Sequence, residues 1–245
     1  MEQTDSDFEW IVVDGGSNDG TREWLEREAP PGCIWSTERD RGVFDAMNKG
    51  LDRSRGRYVL FLNGGDTFAT RETLASVHAA LRDAQTPPDL IYGDSIDVQP
   101  NGTALYRAAR TPKWIRFGMF TSHQAMFFRI GRRPGLRHDL RFPISGDYAF
   151  VATFLDNTAG RDAPSYLALP IPICKFALGG QHFQKRVRGM REDFVIRREM
   201  LHQSTLLAGG LWCAHNLHHR LKVSLPRIMQ RLRYADSQPP GAKPR

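Results

Sequence analysis

Two aspartates close apolar, strand-like runs, and each has a pair of glycines beside it. Asp14 follows Trp10-Ile11-Val12-Val13 and precedes Gly15-Gly16, and Asp66 closes Phe61-Leu62-Asn63-Gly64-Gly65. Glycine removes the side chain where a ligand would approach the backbone, and in an open α/β sheet ligands lie beyond the carboxyl ends of the strands. A single strand-end aspartate reads as a turn or N-cap residue. Two, each with its glycine pair, mark binding edges. A third aspartate, Asp147 in Ile144-Ser145-Gly146-Asp147-Tyr148, precedes a helical run and taken alone reads as an N-cap. Gly15-Gly16-x-x-x-Gly20 lacks the spacing of a dinucleotide fingerprint, and no GxxxxGK[ST] phosphate loop occurs, which disfavours Rossmann dehydrogenase and P-loop chemistry. His215, His218 and His219 form an HxxHH cluster with no acidic residue nearby, which reads as surface histidines on a basic helix rather than a zinc site.

The elements that must carry these loops follow from periodicity and caps. Phe8 to Val13 reads as a strand, and Ser17, Asn18, Asp19 and Thr21 cap a helix running to about Glu28. The unit repeats: a strand at Cys33 to Trp35, a helix at Val43 to Arg53 with Val43, Met47 and Leu51 on one face, a strand at Tyr58 to Leu62, a helix at Thr70 to Ala84 and a strand at Leu90 to Tyr92. This alternation predicts an α/β fold with a mostly parallel central sheet and helices on both faces. Beyond Asp94 the pattern changes to short strands near Ser95 to Val98, Ala104 to Arg107 and Gln124 to Arg129, then a helix near Asp147 to Leu155. Met190 to Ala208 reads as a longer helix, and Leu211 to Arg233 as a basic helix broken by Pro226. The organisation expected is a domain over residues 1–208, a basic amphipathic helical segment over 209–236, and a disordered Pro/Gly-rich tail over 237–245.

Length and charge bound the partners. A chain of 245 residues with 40% hydrophobic residues can bury a full core without disulfide or metal staples. Cys33, Cys174 and Cys213 are widely spaced with no CxxC pair, which fits a reducing compartment. The start is acidic and polar, and no apolar run approaches the roughly 18 to 20 residues of a bilayer span; the expected location is the cytoplasm. Residues 1–97 hold 10 Lys/Arg against 19 Asp/Glu, a net of −9, and the remainder 24 against 8, a net of +16. No acidic residue occurs from Val98 to His138, a stretch that contains Arg107, Arg110, Lys113, Arg116, Arg129, Arg132, Arg133 and Arg137. The second part should therefore face an anion, and the acidic first part suits a cation. Trp114, Phe117 and Phe120 have helix-like spacing that reads equally as core, so nucleic acid is disfavoured against an anionic membrane surface or a diphosphate-bearing substrate.

Three ordered segments, Ile11-Val12-Val13-Asp14-Gly15-Gly16-Ser17-Asn18-Asp19-Gly20-Thr21, Glu38-Arg39-Asp40-Arg41-Gly42-Val43-Phe44-Asp45-Ala46-Met47-Asn48-Lys49-Gly50 and Phe61-Leu62-Asn63-Gly64-Gly65-Asp66, resemble the family 2 glycosyltransferases of GT-A fold, especially the bacterial enzymes that build exopolysaccharide, colanic-acid or O-antigen units. Weaker matches are Tyr92-Gly93-Asp94, Ser122-His123-Gln124-Ala125-Met126-Phe127-Phe128, the Asp147 segment and Phe176-Ala177-Leu178-Gly179-Gly180, so the resemblance covers about Phe8 to Gly180. It implies a nucleotide-sugar donor, with Asp14 accepting a hydrogen bond from the base, and Gly16, Ser17, Asp45, Asn48, Asn63 and Gly65 around the donor. Asp66 would hold a divalent cation, Mg²⁺ or Mn²⁺, on the diphosphate; Asn63 and Gly65 stand where the family has further carboxylates, leaving Asp66 as the one acidic ligand. Capping and surface polarity are the competing account of Asp45 and Asn48, and Met47 stands where many members have Arg.

The same resemblance makes Asp147 the general base of an inverting displacement, its pKa moderately raised by Ile144, Tyr148 and Phe150. His123 and Gln124 would touch acceptor or donor sugar, or else be strand-edge polar residues. The donor implied is a UDP-sugar, and the acceptor a polyprenyl-diphosphate-linked saccharide at the inner face of the cytoplasmic membrane. His182 is a further residue weighed as a metal or phosphate contact and set aside. Arg220, Lys222, Arg227, Arg231 and Arg233, with Leu217, Leu221, Leu225, Ile228 and Leu232, would lie on an anionic membrane or pack on the core. Family members begin with a further strand and helix of roughly 30 residues before the segment matching Phe8, and the expectation is open strand edges and a donor site short of one contact. The competing reading is a catalytically inactive GT-A-like binding or scaffold protein at the membrane surface; a nucleotidyltransferase would want a basic glycine-rich loop that the first segment does not have.

Overall fold

A computed structural model describes residues 3–158, 162–179 and 186–224. In chain order the elements are β1 (Ile11–Asp14), α1 (Thr21–Glu28), β2 (Ile34–Thr37), α2 (Val43–Arg53), β3 (Tyr58–Val59), β4 (Thr67–Phe68), α3 (Thr73–Asp83), β5 (Leu90–Val98), β6 (Ala104–Arg107), β7 (Met126–Arg129), α4 (Gly146–Leu155), β8 (Tyr166–Ala177), α5 (Arg186–Glu199) and α6 (Thr205–Ser224), with 3-10 turns at Pro112–Arg116 and His123–Ala125. His182 and the residues from 225 onward, including the tail expected over 237–245, lie outside the described residues.

The strands form two sheets. β1 and β2 pair in parallel, Ile11 opposite Ile34 and Asp14 opposite Thr37, as a separate two-stranded unit. The other six run β3-β7-β5-β8-β4 with β6 on β5. Within this sheet only β5 and β8 are parallel; β3 with β7, β4 with β8, and β5 with both β6 and β7 are antiparallel. The α/β class therefore stands, but the sheet is mixed rather than mostly parallel. Strand-helix alternation ends at β5, and its hairpin partner β6 and the returning β7 supply antiparallel neighbours. Among the described residues β1 pairs only with β2, and β3 only with β7.

Side chains alternate across the central strands, and each face is covered. Leu90 and Tyr92 of β5 and Met126 and Phe128 of β7 pack with Phe44 and Met47 of α2, Phe150, Val151 and Phe154 of α4, and Ile196 of α5. Ile91, Phe127, Ile173 and Cys174 face the other way, against Leu74 and Val77 of α3. Helices thus lie on both faces, as the alternation predicts.

Several boundaries move for local reasons. The apolar stripe of α2 is Phe44 and Met47, while Val43, expected on it, is exposed. Ser95–Val98 is the continuation of β5, not a separate strand. β8 has no counterpart in the sequence reading because Pro170 and Pro172 cannot donate to a ladder; the strand accommodates them where its register shifts against Gly93 and Asp94. The expected helix Met190 to Ala208 is two: α5 ends at Glu199, and His202, with φ of 51°, turns the chain before α6 begins at Thr205 and runs through Gly209 and Gly210.

Candidate functional site

The Asp14 loop is organised by the aspartate itself. Asp14 is buried at the end of β1, and its carboxylate accepts the N–H of Gly16 (3.2 Å), the N–H of Ser17 (3.1 Å), the Ser17 hydroxyl and the Thr37 hydroxyl of β2. Burial pushes its pKa up, but hydrogen bonds from Ser17 and Thr37 outweigh this and hold the carboxyl below its ordinary value. These donors occupy most of the roughly four lone-pair positions of a carboxylate, so Asp14 shapes the loop. Gly15 leaves room for the Asp40 carboxylate: a Cβ there would lie 2.3 Å from Asp40 Oδ2 and displace it, and Asp40 Oδ1 accepts the Gly42 N–H (2.8 Å) at the start of α2.

α2 carries two further predicted residues. Asp45, in its first turn, accepts the N–H (3.0 Å) and guanidinium (3.2 Å) of Arg41, which hold its carboxyl below the usual range. Asn48 makes a reciprocal pair with the backbone of His138, donating to its C=O (2.9 Å) and accepting its N–H (2.8 Å). Its amide anchors the loop at His138 to α2.

Asp66 and Asp147 are joined through two consecutive residues. Gln124 Nε2 donates to Asp66 Oδ2 (2.8 Å), while Nδ1 of the neighbouring His123 lies 3.3 Å from Asp147 Oδ2. The 3-10 turn His123–Ala125, leading into β7, aims the two side chains at different carboxylates. Asp66 also accepts the N–H of Asn63 (3.2 Å) and of Ala177 at the end of β8 (3.0 Å). Gly65 sits at φ +91°, where other residues would be strained and where an added Cβ would lie 3.4 Å from that of Ala177. Gln124 is 1% exposed and its Oε1 accepts the Ser122 hydroxyl, so it acts as a spacer between the Asp66 loop and the core.

Asp147 is the second residue of α4, inside the first turn, with Ser145 at the N-cap position; it is not the cap. Its side chain is 27% exposed. Burial raises its pKa, as the sequence reading expects, but contact with His123 and the Tyr148 N–H (2.8 Å) brings it below the ordinary carboxylate value. The expected upward shift is thus corrected: polar neighbours outweigh the apolar ones.

Three neighbours of Asp147 were not legible as site residues. His138, 3% exposed, is stacked between Phe44 (centroids 5.3 Å) and Phe150 (4.3 Å), with Phe61 edge-on at 5.0 Å. Burial first, then His123, push its pKa down to about 3, so it is neutral. Glu192 of α5 accepts the N–H groups of Ile144 and Ser145, both at 2.9 Å, capping α4 from another helix in place of a local side chain. Beside it, burial pushes the Asp193 carboxyl up to about 6, and Asp147 adds to the rise. The acidic pair Glu192-Asp193 within a basic helix was the one signal the sequence offered.

A resident cation has little to bind here. Both oxygens of Asp66 are engaged by N–H donors, and no cluster of three His, Cys, Asp or Glu side chains occurs among the described residues. Asp66 offers a single carboxylate, as the sequence analysis expects, and it already accepts from Gln124 and Ala177. Cys33, Cys174 and Cys213 are free thiols, and no helix among the described residues is long and apolar enough to cross a membrane.

Comparison with known proteins fits this layout. Residues 1–142 match the family model for glycosyl transferase family 2. The chain is 35% identical over 161 residues to a PGL/p-HBAD biosynthesis glycosyltransferase of Mycobacterium tuberculosis (strain ATCC 25177 / H37Ra), covering 64% of this chain and 62% of that protein. It is 31% identical over 153 residues to an uncharacterized glycosyltransferase of M. tuberculosis (strain ATCC 25618 / H37Rv), covering 59% and 56%. The chain thus spans about three fifths of the length of these curated relatives. Among solved structures, S. aureus TarS 1–349 in complex with UDP-GlcNAc superposes with a TM-score of 0.64 at 17% identity, covering 86% of this chain and 64% of that one; the complex with UDP gives 0.61. These likenesses are to the fold.

Proposed function

The chain belongs to glycosyl transferase family 2, and from that premise we propose that it transfers a sugar from a nucleotide-sugar, a UDP-sugar, to a saccharide acceptor in the synthesis of a bacterial cell-surface glycan, with inversion. The observation that carries the reading is the pairing of consecutive residues with separate carboxylates, Gln124 with Asp66 and His123 with Asp147. Through the turn His123–Ala125 it ties the loop proposed for the donor to the carboxylate proposed as the base. Asp147, ionised at neutral pH, takes the proton of the acceptor hydroxyl as that oxygen attacks the anomeric carbon; the bond from that carbon to the nucleoside diphosphate breaks on the opposite side. Asp14, through Ser17 and Gly16, shapes the loop against which the nucleotide lies. Two structures with the same fold were solved with UDP and UDP-GlcNAc, which supports uridine as the base. The acceptor is a polyprenyl-diphosphate-linked saccharide at the inner face of the cytoplasmic membrane. A divalent cation, Mg²⁺ or Mn²⁺, would arrive with the diphosphate, and no step above depends on it.

A second reading, a GT-A-fold protein that binds without turnover, is favoured by the full hydrogen-bonding of Asp14 and Asp66. Thermal unfolding with UDP, GDP, CDP and dTDP, each with and without Mn²⁺, tests the donor site. Saturation at 100 times Kd adds about 2.7 kcal/mol, a rise of roughly 5 to 10 °C at this size. A shift with UDP that shrinks in Asp66→Ala supports the donor reading; a folded protein that responds to no nucleotide contradicts it.

A further inference from the structure

The backbone that carries Asp147 is held from two other helices. Glu192 of α5 accepts the N–H groups of Ile144 and Ser145, both at 2.9 Å, and a Cβ on Gly146 would lie 2.6 Å from the Phe44 ring of α2. What the backbone leaves open is the rotation of the carboxylate, because the last torsion of an aspartate is broad and roughly two-fold. Oδ1 accepts the Tyr148 N–H (2.8 Å) within the same turn. The partner the structure gives Oδ2 comes from elsewhere in the chain, Nδ1 of His123 at 3.3 Å.

His123 rides on a buried turn. Thr121 Oγ1 donates to the Gly93 C=O of β5 (2.7 Å), the Ala125 N–H donates to the Ser122 C=O (2.9 Å), and Gln124, Ala125 and Met126 are each 1% exposed or less. The imidazole is itself enclosed, and its Nε2 is buried with no hydrogen-bond partner among the described residues. A carboxylate opposite Nδ1 selects the tautomer with the proton there, which leaves Nε2 an acceptor with nothing to accept. A buried polar atom in that state costs stability, and a phenylalanine would fill the space without it. The ring is thus a poor choice as packing and a good one as a donor aimed at Asp147. Other titratable groups around Asp147 lack that aim. His138 is neutral between its aromatic neighbours, Glu192 is committed to the α4 backbone and to Arg188 (2.9 Å), and Asp193, beside Ser145 and Arg197, is a second carboxyl.

We propose that His123 is a positioning residue for the general base: by donating from Nδ1 to Oδ2 it holds the Asp147 carboxylate in one rotation, and it acts through that carboxylate rather than by contact with a sugar. The inference rests on the reading of Asp147 as the base. The second lone pair of Oδ2 then takes the proton of the acceptor hydroxyl, which ends on Asp147, while the proton of His123 stays on Nδ1. Donation lowers the basicity of the carboxylate; what it supplies is orientation, to which proton transfer and attack are both sensitive.

Two measurements on the full chain test it. The first needs no substrate: the Asp147 carboxyl carbon is followed by ¹³C NMR through an acid titration. His123→Phe should move its midpoint up by about one pH unit or more, and His123→Asn, whose amide nitrogen falls where Nδ1 was, should move it less. A midpoint unmoved in His123→Phe overturns the proposal. The second is release of UDP from a panel of UDP-sugars with membrane-extracted lipid-linked saccharides. His123→Phe should lower kcat about 10- to 100-fold, with KM for the UDP-sugar and the UDP-induced rise in melting temperature kept. His123→Asn should recover most of that loss, and His123→Gln, whose amide reaches the Nε2 position, should not. If His123→Phe melts below the wild type, the contrast between Asn and Gln decides, since both remove the ring alike. An unchanged kcat in His123→Phe, a loss confined to KM, or equal losses in the Asn and Gln variants overturns the role of His123 while the reading of Asp147 stands. A wild type without turnover, or turnover undiminished in Asp147→Asn, removes that reading and the proposal with it.

Discussion

In the two-stranded unit, Ile11, Val12 and Val13 of β1 are only half-buried and Asp14 is the buried residue of its strand; in the six-stranded sheet, Leu90, Ile91, Met126 and Ile173 are fully enclosed. The first region holds its loop by polar bonds across β1 and β2, from Ser17 and Thr37 to one carboxylate. The second holds Asp147 by packing: Phe44 lies so close that a Cβ on Gly146 would be 2.6 Å from its ring, and His138 is fixed between Phe44 and Phe150. The loop proposed for the donor is therefore built to be adjusted, and the carboxylate proposed as the base to be immobile. Polar bonds exchange with ligand or water at a net cost of about 1 kcal/mol each, whereas displacing a packed ring costs several.

This contrast is broken most severely by Phe150→Ala. Its ring meets Phe61, Phe128 and His138 at 5.7, 5.1 and 4.3 Å, and its loss should cost about 3–5 kcal/mol in urea unfolding. An effect no larger than that of Asp14 substitutions would remove the distinction. His138 gives the next largest effect. Its folded pKa, about 3, lies below the ordinary 6.5, so the fold favours the neutral form. The resulting stability is present above pH 6.5 and lost as pH falls toward the folded value, about 2 kcal/mol by about pH 5. Asp193, with its folded pKa raised to about 6 from 3.8, has the opposite slope between those values. The comparison to make is thus His138→Phe against wild type, whose stability difference should shrink or reverse as pH is lowered.

Asp14→Asn should cost about 1–2 kcal/mol. Because the folded pKa of Asp14 is depressed, its contribution is present above about pH 4 and disappears below, which acid titration of wild type and variant would show. Arg22→Ala, which removes an exposed i,i+4 pair with Glu26 at 2.9 Å, should change stability by no more than about 0.5 kcal/mol. A loss of several kcal/mol there would mean that α1 supports the two-stranded unit more than its burial indicates.

The parts legible in the sequence are those set by local rules. The extents of α1 and α2 follow from their helical runs, although both begin at glycines, Gly20 and Gly42, with no side-chain cap, and Asp66, expected at a strand end, lies in a loop because β3 stops at Val59. What escaped depends on distant partners. β8 hides behind Pro170 and Pro172, tolerated only because the register slips beside Gly93. Asn48 reads in the sequence as either a donor contact or a surface polar residue, and the partner it has, the His138 backbone 90 positions away, takes both ends of its amide. The downward pKa of Asp147 comes from His123 and the helix N–H of Tyr148, whereas its apolar sequence neighbours suggest the reverse. His138 itself sits in an arginine-rich loop segment with no pattern to mark it.

The central claim is that the His123–Gln124 turn brings a donor loop and a general base into one site. Release of UDP from a panel of UDP-sugars, assayed with membrane-extracted lipid-linked saccharides and run in parallel for wild type and Asp147→Asn, tests it most directly. The account predicts turnover in the wild type and a fall of about 10²- to 10⁴-fold in the variant, with the UDP-induced rise in melting temperature retained. Undiminished turnover in Asp147→Asn would contradict it, as would a wild type that binds UDP and turns over none of these donors.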